Sequence, residues 1–441
     1  MKDQDASAGS AVADRGGSMG SSPSRGQARV LGINGLGRIG KLTLWHHVGR
    51  KHFQRIVVNQ GRPVGKDLAA LAQSIEKDST YGPLHRFLYG YRGRRVIEIV
   101  DEKRGELLID GVPVTVLREQ RNPREIPWRE YGVELVAECT GSFNDPTVPP
   151  DHPKGSIRGH LQAAGARKVV NSAPFKIKDK SQKMPADAAT FIFGVNHTQF
   201  DPERHQLISA ASCTTTALAH MILPLVEHFQ SRVILTASMS TVHAATNTQS
   251  VLDALPKAGD SDLRKKRAVL NNIILTSTGA AGALEQVLPD VREIGFMADS
   301  VRVPVPTESL IILNVTFQSQ INPDGRGSIT AQVINDLYRE AAEGKQKGLL
   351  RFTLEQNVSS DLVGDPAAVV IEGCETHTRT GFLTVDLRQV PGLPAEALRT
   401  IQDPLLRVPV THAKIFGWYD NEYGSYTNRL ADLCVYIDSL L

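Results

Sequence analysis

Leu31-Gly-Ile-Asn-Gly35-Leu-Gly37-Arg-Ile-Gly40 is the stretch on which the fold turns. It spaces its glycines as G-x-G-x-x-G after an apolar run, Arg29–Asn34, that reads as a buried strand. It also opens an amphipathic run, Ile39–Val48, that reads as a helix. In such a strand–turn–helix the first glycine permits the tight turn and the second lets a pyrophosphate reach the backbone. The third lets helix press on strand, and the helix N-terminus aims its unpaired N–H groups at the anion. With 37 glycines in the chain the spacing alone is weak, and the strand–helix setting is what makes it a dinucleotide-binding turn. The group that accepts ribose hydroxyls is expected after the second strand, Arg55–Asn59. There the chain reads Asn59-Gln60-Gly61-Arg62, with no carboxylate.

Outward from this turn, short apolar runs alternate with amphipathic ones. Val133–Glu138 and Lys168–Asn171 read as strands, with Ile157–Ala164 as a helix between them. Repeated strand–helix–strand units favour a parallel sheet with helices on both faces. Beyond about residue 212 the texture changes to longer strands, Arg232–Val242, Ser309–Gln318 and Ser328–Val333, followed by a helix over Ile334–Glu343. The expected fold is therefore α/β: a Rossmann nucleotide-binding domain over residues 29–212 and an α+β catalytic domain with a large mixed or antiparallel sheet over 213–424. A C-terminal helix over 425–441 is expected to return to the first domain. Asn144–Gly155 and Val390–Pro394, rich in Pro and Gly, read as surface insertions.

Residues 1–28 hold no aromatic side chain, many Gly and Ser, and charges of both signs, so this segment is expected to be a disordered tail. It lacks the apolar core of a secretory signal, and its three Asp argue against a transit peptide. Over all 441 residues, Lys and Arg exceed Asp and Glu by 50 − 47 = 3, too little to point to nucleic acid or a membrane surface. No apolar run is long enough to span a bilayer. The four cysteines, Cys139, Cys213, Cys374 and Cys434, lie far apart, which fits a reducing compartment and argues against a structural zinc site. No metal site is expected.

Ser209-Ala-Ala-Ser212-Cys213-Thr214-Thr215-Thr216 sets one of these cysteines among hydroxyl groups at the expected start of a helix, Thr214–Phe229. The helix dipole and free backbone N–H groups favour a thiolate at such a position. Cys139, Cys374 and Cys434 lack polar surroundings and read as buried structural residues. Among thirteen histidines, His243 ends a strongly β-like run and is followed by Thr246, Thr248 and Gln249. A cysteine and a histidine brought together by folding are the usual apparatus for covalent chemistry at a carbonyl.

At this point the chain resembles the phosphorylating glyceraldehyde-3-phosphate dehydrogenases. The resemblance spans about Arg29–Leu441 and rests on motifs standing in the family's order: INGLGRIG (33–40), SAASCTTTALA (209–219), STVHAATNTQ (240–249), TSTGAA (276–281) and WYDNEYGSYTNR (418–429). It implies Cys213 as nucleophile and His243 as base. It implies that Thr246 and Arg302, with Arg264, hold the substrate's own phosphate, and that Ser212, Thr214, Thr278 and Gly279 form an inorganic-phosphate site. For the cofactor it implies Gly35, Leu36, Gly37, Arg38, Ile39, Thr140, Gly141 and Asn421, to which the strand-end reading adds Asn59 and Gln60. The sequence departs from the family at Ala210, Thr216, Ala217 and His220. It also carries one extra residue, Ser425, so that either Tyr423 or Tyr426 is the tyrosine expected near the nicotinamide. Extra residues also fall in Lys257–Asp260 and in longer loops at 82–110, 144–158 and 387–408.

The resemblance implies a cytoplasmic homotetramer acting on a sugar-phosphate aldehyde and inorganic phosphate with NAD or NADP. Without a carboxylate at Gln60, and with Arg62 beside it, use of both cofactors is expected. Alternatives are the same scaffold acting on another aldehyde, such as erythrose 4-phosphate, or a non-catalytic nucleotide-binding protein. Retention of Cys213, His243, Arg302 and Asn421 together weighs against the last.

Overall fold

The computed structural model describes residues 28–162, 164–229, 233–256 and 258–441. The expected tail lies, but for its last residue, outside the described residues, as do Arg232 and Lys257. Two large sheets organise the chain. The first has nine strands in the order Ala188–Thr190, Leu207–Ser209, Lys168–Asn171, Leu135–Glu138, Val30–Asn34, Arg55–Asn59, Val112–Leu117, Glu106–Ile109 and Ile97–Asp101. Pairing is parallel from the first of these through Val112–Leu117, and the last two strands are antiparallel. Its central strands are buried along their length, as parallel strands covered on both faces must be. Val30–Asn34 sits where the strand order reverses, with its sequence neighbour on one side and Leu135–Glu138 on the other. Such a switch point opens a crevice beyond the strand ends.

The second sheet has eight strands. Its main path runs Ile274–Thr276, Phe296–Val303, Ile234–Ala244, Ser309–Gln318, Leu405–Tyr419, Val369–Glu372 and Leu350–Thr353, and His377–Asp386 pairs with Leu405–Tyr419 from Leu405 to Lys414. The long helix Cys213–Phe229 packs on this sheet through Ala217, Leu218, Met221 and Leu225, which share a core with Ile311, Leu313 and Ile415. The final helix, Asn428–Asp438, crosses to the first sheet's layer, where Leu430, Leu433, Cys434 and Ile437 join the core of Leu31, Ile33, Leu44 and Trp45.

Two expected elements are corrected. Ile157–Ala164 is not a helix but a single 3-10 turn, Ile157–His160. Gly159 presses against the Arg124 backbone, where a Cβ would stand 2.8 Å from its nitrogen, and a full helical turn does not fit. Ser328–Val333 is not a strand, because the Thr330 hydroxyl accepts from Val333 N–H and caps a helix that begins at Ala331. The long loops are partly ordered: 82–110 holds the helix Leu84–Tyr89, the edge strand Ile97–Asp101 and its neighbour Glu106–Ile109, and 387–408 holds the short helix Ala395–Thr400. The extra Ser425 is absorbed as one wide π turn, Tyr423–Thr427, just before the last helix. An inserted residue is commonly housed in a helical segment this way.

Candidate active site

The glycine-rich turn does what its spacing requires. Gly35 takes φ +95°, a conformation side chains resist, and a Cβ on Gly40 would lie 1.9 Å from the Gly35 carbonyl oxygen. Gly37 caps the helix Arg38–Arg50, beside which a Cβ would meet nothing, so the approach to its backbone is open. Leu36 and Ile39 pack against the first core. The Arg38 side chain is turned away into a carboxylate clasp with Asp78 and Glu422, so only its backbone is left for a cofactor.

Next to this turn opens a cavity of about 1080 Å³ lined by Asn34, Asn59, Gln60, Arg62, Thr140 and Gly141, with Arg121 and Lys176 further along. The strand ends beneath it are knitted together: Asn59 Nδ2 donates to Asn34 Oδ1 at 2.8 Å, and Asn34 Nδ2 donates to Glu138 Oε2 at 2.6 Å. Glu138, fully buried, also accepts from the Thr140 N–H at 2.7 Å, from the Thr140 hydroxyl, and from His160 Nε2 at 2.9 Å. With Trp128 Nε1 donating to His160 Nδ1, this network fixes the histidine tautomer. Sequence reasoning missed Glu138 and His160, and nothing in their spacing signals them. Asn59 Oδ1 and Gln60 Oε1 are buried acceptors without a protein partner, and both residues line the cavity. Buried acceptors of this kind fit the hydroxyls of a ribose.

Cys213 is the first residue of its helix, and His243 lies near the end of the strand Ile234–Ala244. Folding brings Cys213 Sγ within 3.4 Å of His243 Nε2. His243 Nδ1 lies 2.8 Å from the Ala244 carbonyl oxygen, on the side of the ring away from the sulfur that Nε2 faces. Parallel pairing sets His243 directly across from Arg302, whose Nη1 contacts His243 Nδ1 and donates to the Ala244 carbonyl at 3.1 Å. Burial and the Arg302 charge hold the imidazole well below its usual range. Burial also pushes the Cys213 thiol up, against the opposing pull of Arg302 and the Thr214 contacts, so the helix start does not by itself produce the low thiol pKa the sequence suggested.

The remaining site residues fall into place unevenly. Ser212 Oγ accepts from Thr215 N–H at 3.2 Å and caps the nucleophile's helix. The Thr214 hydroxyl is bound to Tyr419 Oη at 2.9 Å, in a buried trio with Thr241. Thr246 Oγ1 donates to Gln249 Oε1 at 3.0 Å in the loop just past His243. Thr278 and Gly279 precede the helix Ala280–Val287, where Thr278 Oγ1 accepts from Ala280 N–H at 3.2 Å. Arg264 is exposed and paired with its own neighbour Asp262 at 2.8 Å. Asn421 is buried beside the second sheet's end, with Oδ1 accepting from Ser309 Oγ at 3.1 Å. Of the two candidate tyrosines, Tyr426 donates to the carbonyls of Ser172 and Ala211, just before the nucleophile. Tyr423 is sandwiched instead between His46 and Tyr81. Cys139 and Cys434 have thiols raised by burial, whereas Cys374 is exposed rather than buried as expected. His220 is structural, bridging Gln346 and the Phe193 carbonyl. Among the described residues no cluster of His, Cys, Asp and Glu could hold a metal ion, and no helix is long and apolar enough to cross a membrane.

A doubly wound sheet with a dinucleotide turn, joined to a second sheet beside which a thiol and an imidazole meet, is the architecture of a nicotinamide-dependent oxidoreductase. Residues 29–146 match the glyceraldehyde 3-phosphate dehydrogenase NAD binding domain, and residues 212–385 match the C-terminal domain of the same family. Glyceraldehyde-3-phosphate dehydrogenase 2 of Streptomyces avermitilis is 35% identical over 93% of this chain and 99% of its own length. Glyceraldehyde-3-phosphate dehydrogenase 2 of Bacillus subtilis is 33% identical over 91% of this chain and 95% of its own. The Borreliella burgdorferi enzyme is likewise 33% identical, over 91% and 98%. The chain belongs to the glyceraldehyde-3-phosphate dehydrogenase family.

Proposed function

We propose that the protein catalyses the reversible phosphorylating oxidation of glyceraldehyde 3-phosphate to 1,3-bisphosphoglycerate. The observation that carries this reading is the 3.4 Å approach of Cys213 Sγ to His243 Nε2, with Arg302 alongside. Cys213 attacks the aldehyde carbon, and His243 takes the proton of the resulting thiohemiacetal hydroxyl through Nε2. A nicotinamide dinucleotide, when bound, supplies the hydride acceptor. Asn421 orients the carboxamide, while Gly35, Gly37 and the backbone of Arg38 receive the pyrophosphate. Inorganic phosphate then attacks the thioester on Cys213 and releases the acyl phosphate.

Such chemistry needs two anion sites. Arg302, whose Nε is buried without a protein partner, and Thr246 suit the substrate's phosphate. Thr278, Gly279 and the helix start at Ala280 suit inorganic phosphate. Arg264 joins the first site only on release from Asp262. Thr278→Ala is expected to raise the KM for inorganic phosphate more than that for the aldehyde, and Arg302→Ala to do the reverse. Equal effects on both constants would mean that the sites are exchanged or merged. Assays with erythrose 4-phosphate, with and without phosphate, separate the rival aldehyde.

Both NAD and NADP are proposed as cofactors. The acceptors offered to the ribose, Asn59 Oδ1 and Gln60 Oε1, are neutral, and Arg62 and Arg121 line the same cavity. A carboxylate at position 60 repels a 2′-phosphate, whereas a guanidinium attracts one. Gln60→Asp is therefore expected to reduce kcat/KM for NADP roughly tenfold or more, about 1.4 kcal/mol, with NAD little changed. A wild-type preference for NAD above about 10³-fold would refute dual use.

The division into residues 29–212, 213–424 and a returning 425–441 is proposed as the domain organisation, and the cytoplasm as the compartment. A homotetramer is proposed for the assembly. It is supported by apolar side chains left exposed on and around the second sheet's edge, among them Leu255, Ile273, Leu275 and Met297.

A further inference from the structure

Glu308 occupies the least comfortable position in the second sheet's vicinity. It is a non-glycine residue at φ +71°, only 2% exposed, and its Oε2 is buried with no hydrogen-bond partner. Left-handed backbone and an unpaired buried oxygen each destabilise a fold, and they persist where the surrounding structure holds them in place.

The surroundings point to that purpose. Ser309, the next residue, accepts from the Ala244 N–H at 3.1 Å and donates to Asn421 Oδ1 at 3.1 Å. One hydroxyl thus joins the strand end that carries His243 to the amide assigned to the nicotinamide. Thr307, the preceding residue, donates to Asp420 Oδ1 at 3.2 Å, immediately before Asn421. The corner Thr307–Glu308–Ser309 therefore sets the relative position of base and cofactor seat. We propose that Glu308 is a positioning residue for hydride transfer: its left-handed turn, with the carboxyl buried behind it, holds the corner that spaces the His243 strand end from the Asn421 seat. A charge on that buried side chain loosens the seat. The proposal rests on the dehydrogenase reading given above.

The charges around Glu308 act together. Asp420 and Asp365 face it, and their repulsion adds to burial to push its carboxyl up to about 10. The nearby cations are engaged elsewhere: Arg351 pairs with Asp365 at 2.9 Å, and Arg38 is clasped by Asp78 and Glu422. Tyr81 donates to Asp420 Oδ1 at 2.8 Å, and its hydroxyl and that of Tyr423 are raised well beyond their ordinary range by burial and by Asp420, so neither titrates first. Because the folded carboxyl lies above its unfolded value, the stability it lends is whole below the ordinary carboxyl range and is lost as pH climbs to about 10.

The test compares wild type, Glu308→Gln and Glu308→Gly between about pH 7 and 10.5. Dinucleotide affinity is read from quenching of protein fluorescence, together with KM for cofactor and aldehyde, kcat and melting temperature. In wild type the dissociation constant for NAD is expected to rise at least about fivefold on the alkaline limb, the low end of usual site–site coupling. Glu308→Gln, an acid mimic that cannot ionise, should hold it flat and keep neutral-pH kcat. Glu308→Gly should melt higher, since strain and the unpaired oxygen are gone, yet show a raised cofactor KM at neutral pH with the aldehyde KM unmoved. A merely structural role predicts the gain in melting temperature without the change in KM. An unchanged alkaline limb in Glu308→Gln, or an unmoved cofactor KM in Glu308→Gly, overturns the proposal while leaving the dehydrogenase reading intact. Failure of wild type to bind NAD or NADP at any pH overturns both.

Discussion

Cys213→Ser is expected to lower turnover by about 10⁴-fold or more, in the range found when a covalent nucleophile is removed. The hydroxyl of serine is far less nucleophilic than sulfur and ionises far outside the working range. Folding should survive, because Cys213 is only half-buried and its helix is held by Ala217, Leu218 and Met221 below it and capped by Ser212. Dinucleotide binding should be intact as well, since the cavity beside the glycine-rich turn draws on other strands. The measurement is steady-state turnover beside dinucleotide binding and melting temperature. Parallel alkylation with iodoacetamide should label Cys213 before the exposed Cys374. Preferential labelling of Cys374, with activity retained in Cys213→Ser, would end this assignment.

The second large effect is expected at His243. Replacing it with Asn keeps a polar group of similar reach near the Ala244 carbonyl but removes the proton acceptor. Turnover should fall by about 10²–10⁴-fold, the usual contribution of general acid–base catalysis. Burial and the Arg302 charge already hold this imidazole neutral, so it stays unprotonated across the whole neutral range. The wild-type rate should accordingly show no acid limb from His243 near pH 6, where an ordinary histidine titrates. Wild-type-like turnover in His243→Asn would remove it from the mechanism.

The parts of the fold that were legible in the sequence are those governed by local rules. Gly35 and Gly40 announced their turn because backbone conformation and close packing admit little else there, while Gly37 keeps the helix start open, and the strands Arg55–Asn59 and Ser309–Gln318 stand where their apolar patterns place them. Cys213 and His243 were legible through the motifs around them. Where a tertiary or capping effect decided the outcome, the pattern misled. Ser328–Val333 has the β-branched texture of a strand, but the Thr330 cap converts its second half into helix. Ile157, Leu161 and Ala164 have helical spacing and are buried as expected, yet the contact of Gly159 with Arg124 leaves room only for a 3-10 turn. The Glu138–His160–Trp128 chain and the Glu308 corner join residues distant in sequence, or depend on a backbone angle, and neither leaves a trace in spacing.

The return of the last helix to the first sheet bears on how the chain comes into being on the ribosome. Trp45 and Leu44 share one core with Leu430, Leu433 and Ile437, so the nucleotide-binding core waits for side chains made nearly 400 residues later. At the usual pace of about 5–20 residues per second, the intervening stretch of nearly 400 residues takes on the order of 20–80 s to synthesise. Throughout that interval the helix Arg38–Arg50 is expected to present an uncovered apolar flank to solvent or to whatever chaperone meets it. The cofactor-binding core is therefore expected to close only after the second sheet's strands, which lie between its two parts in the chain, have themselves been made.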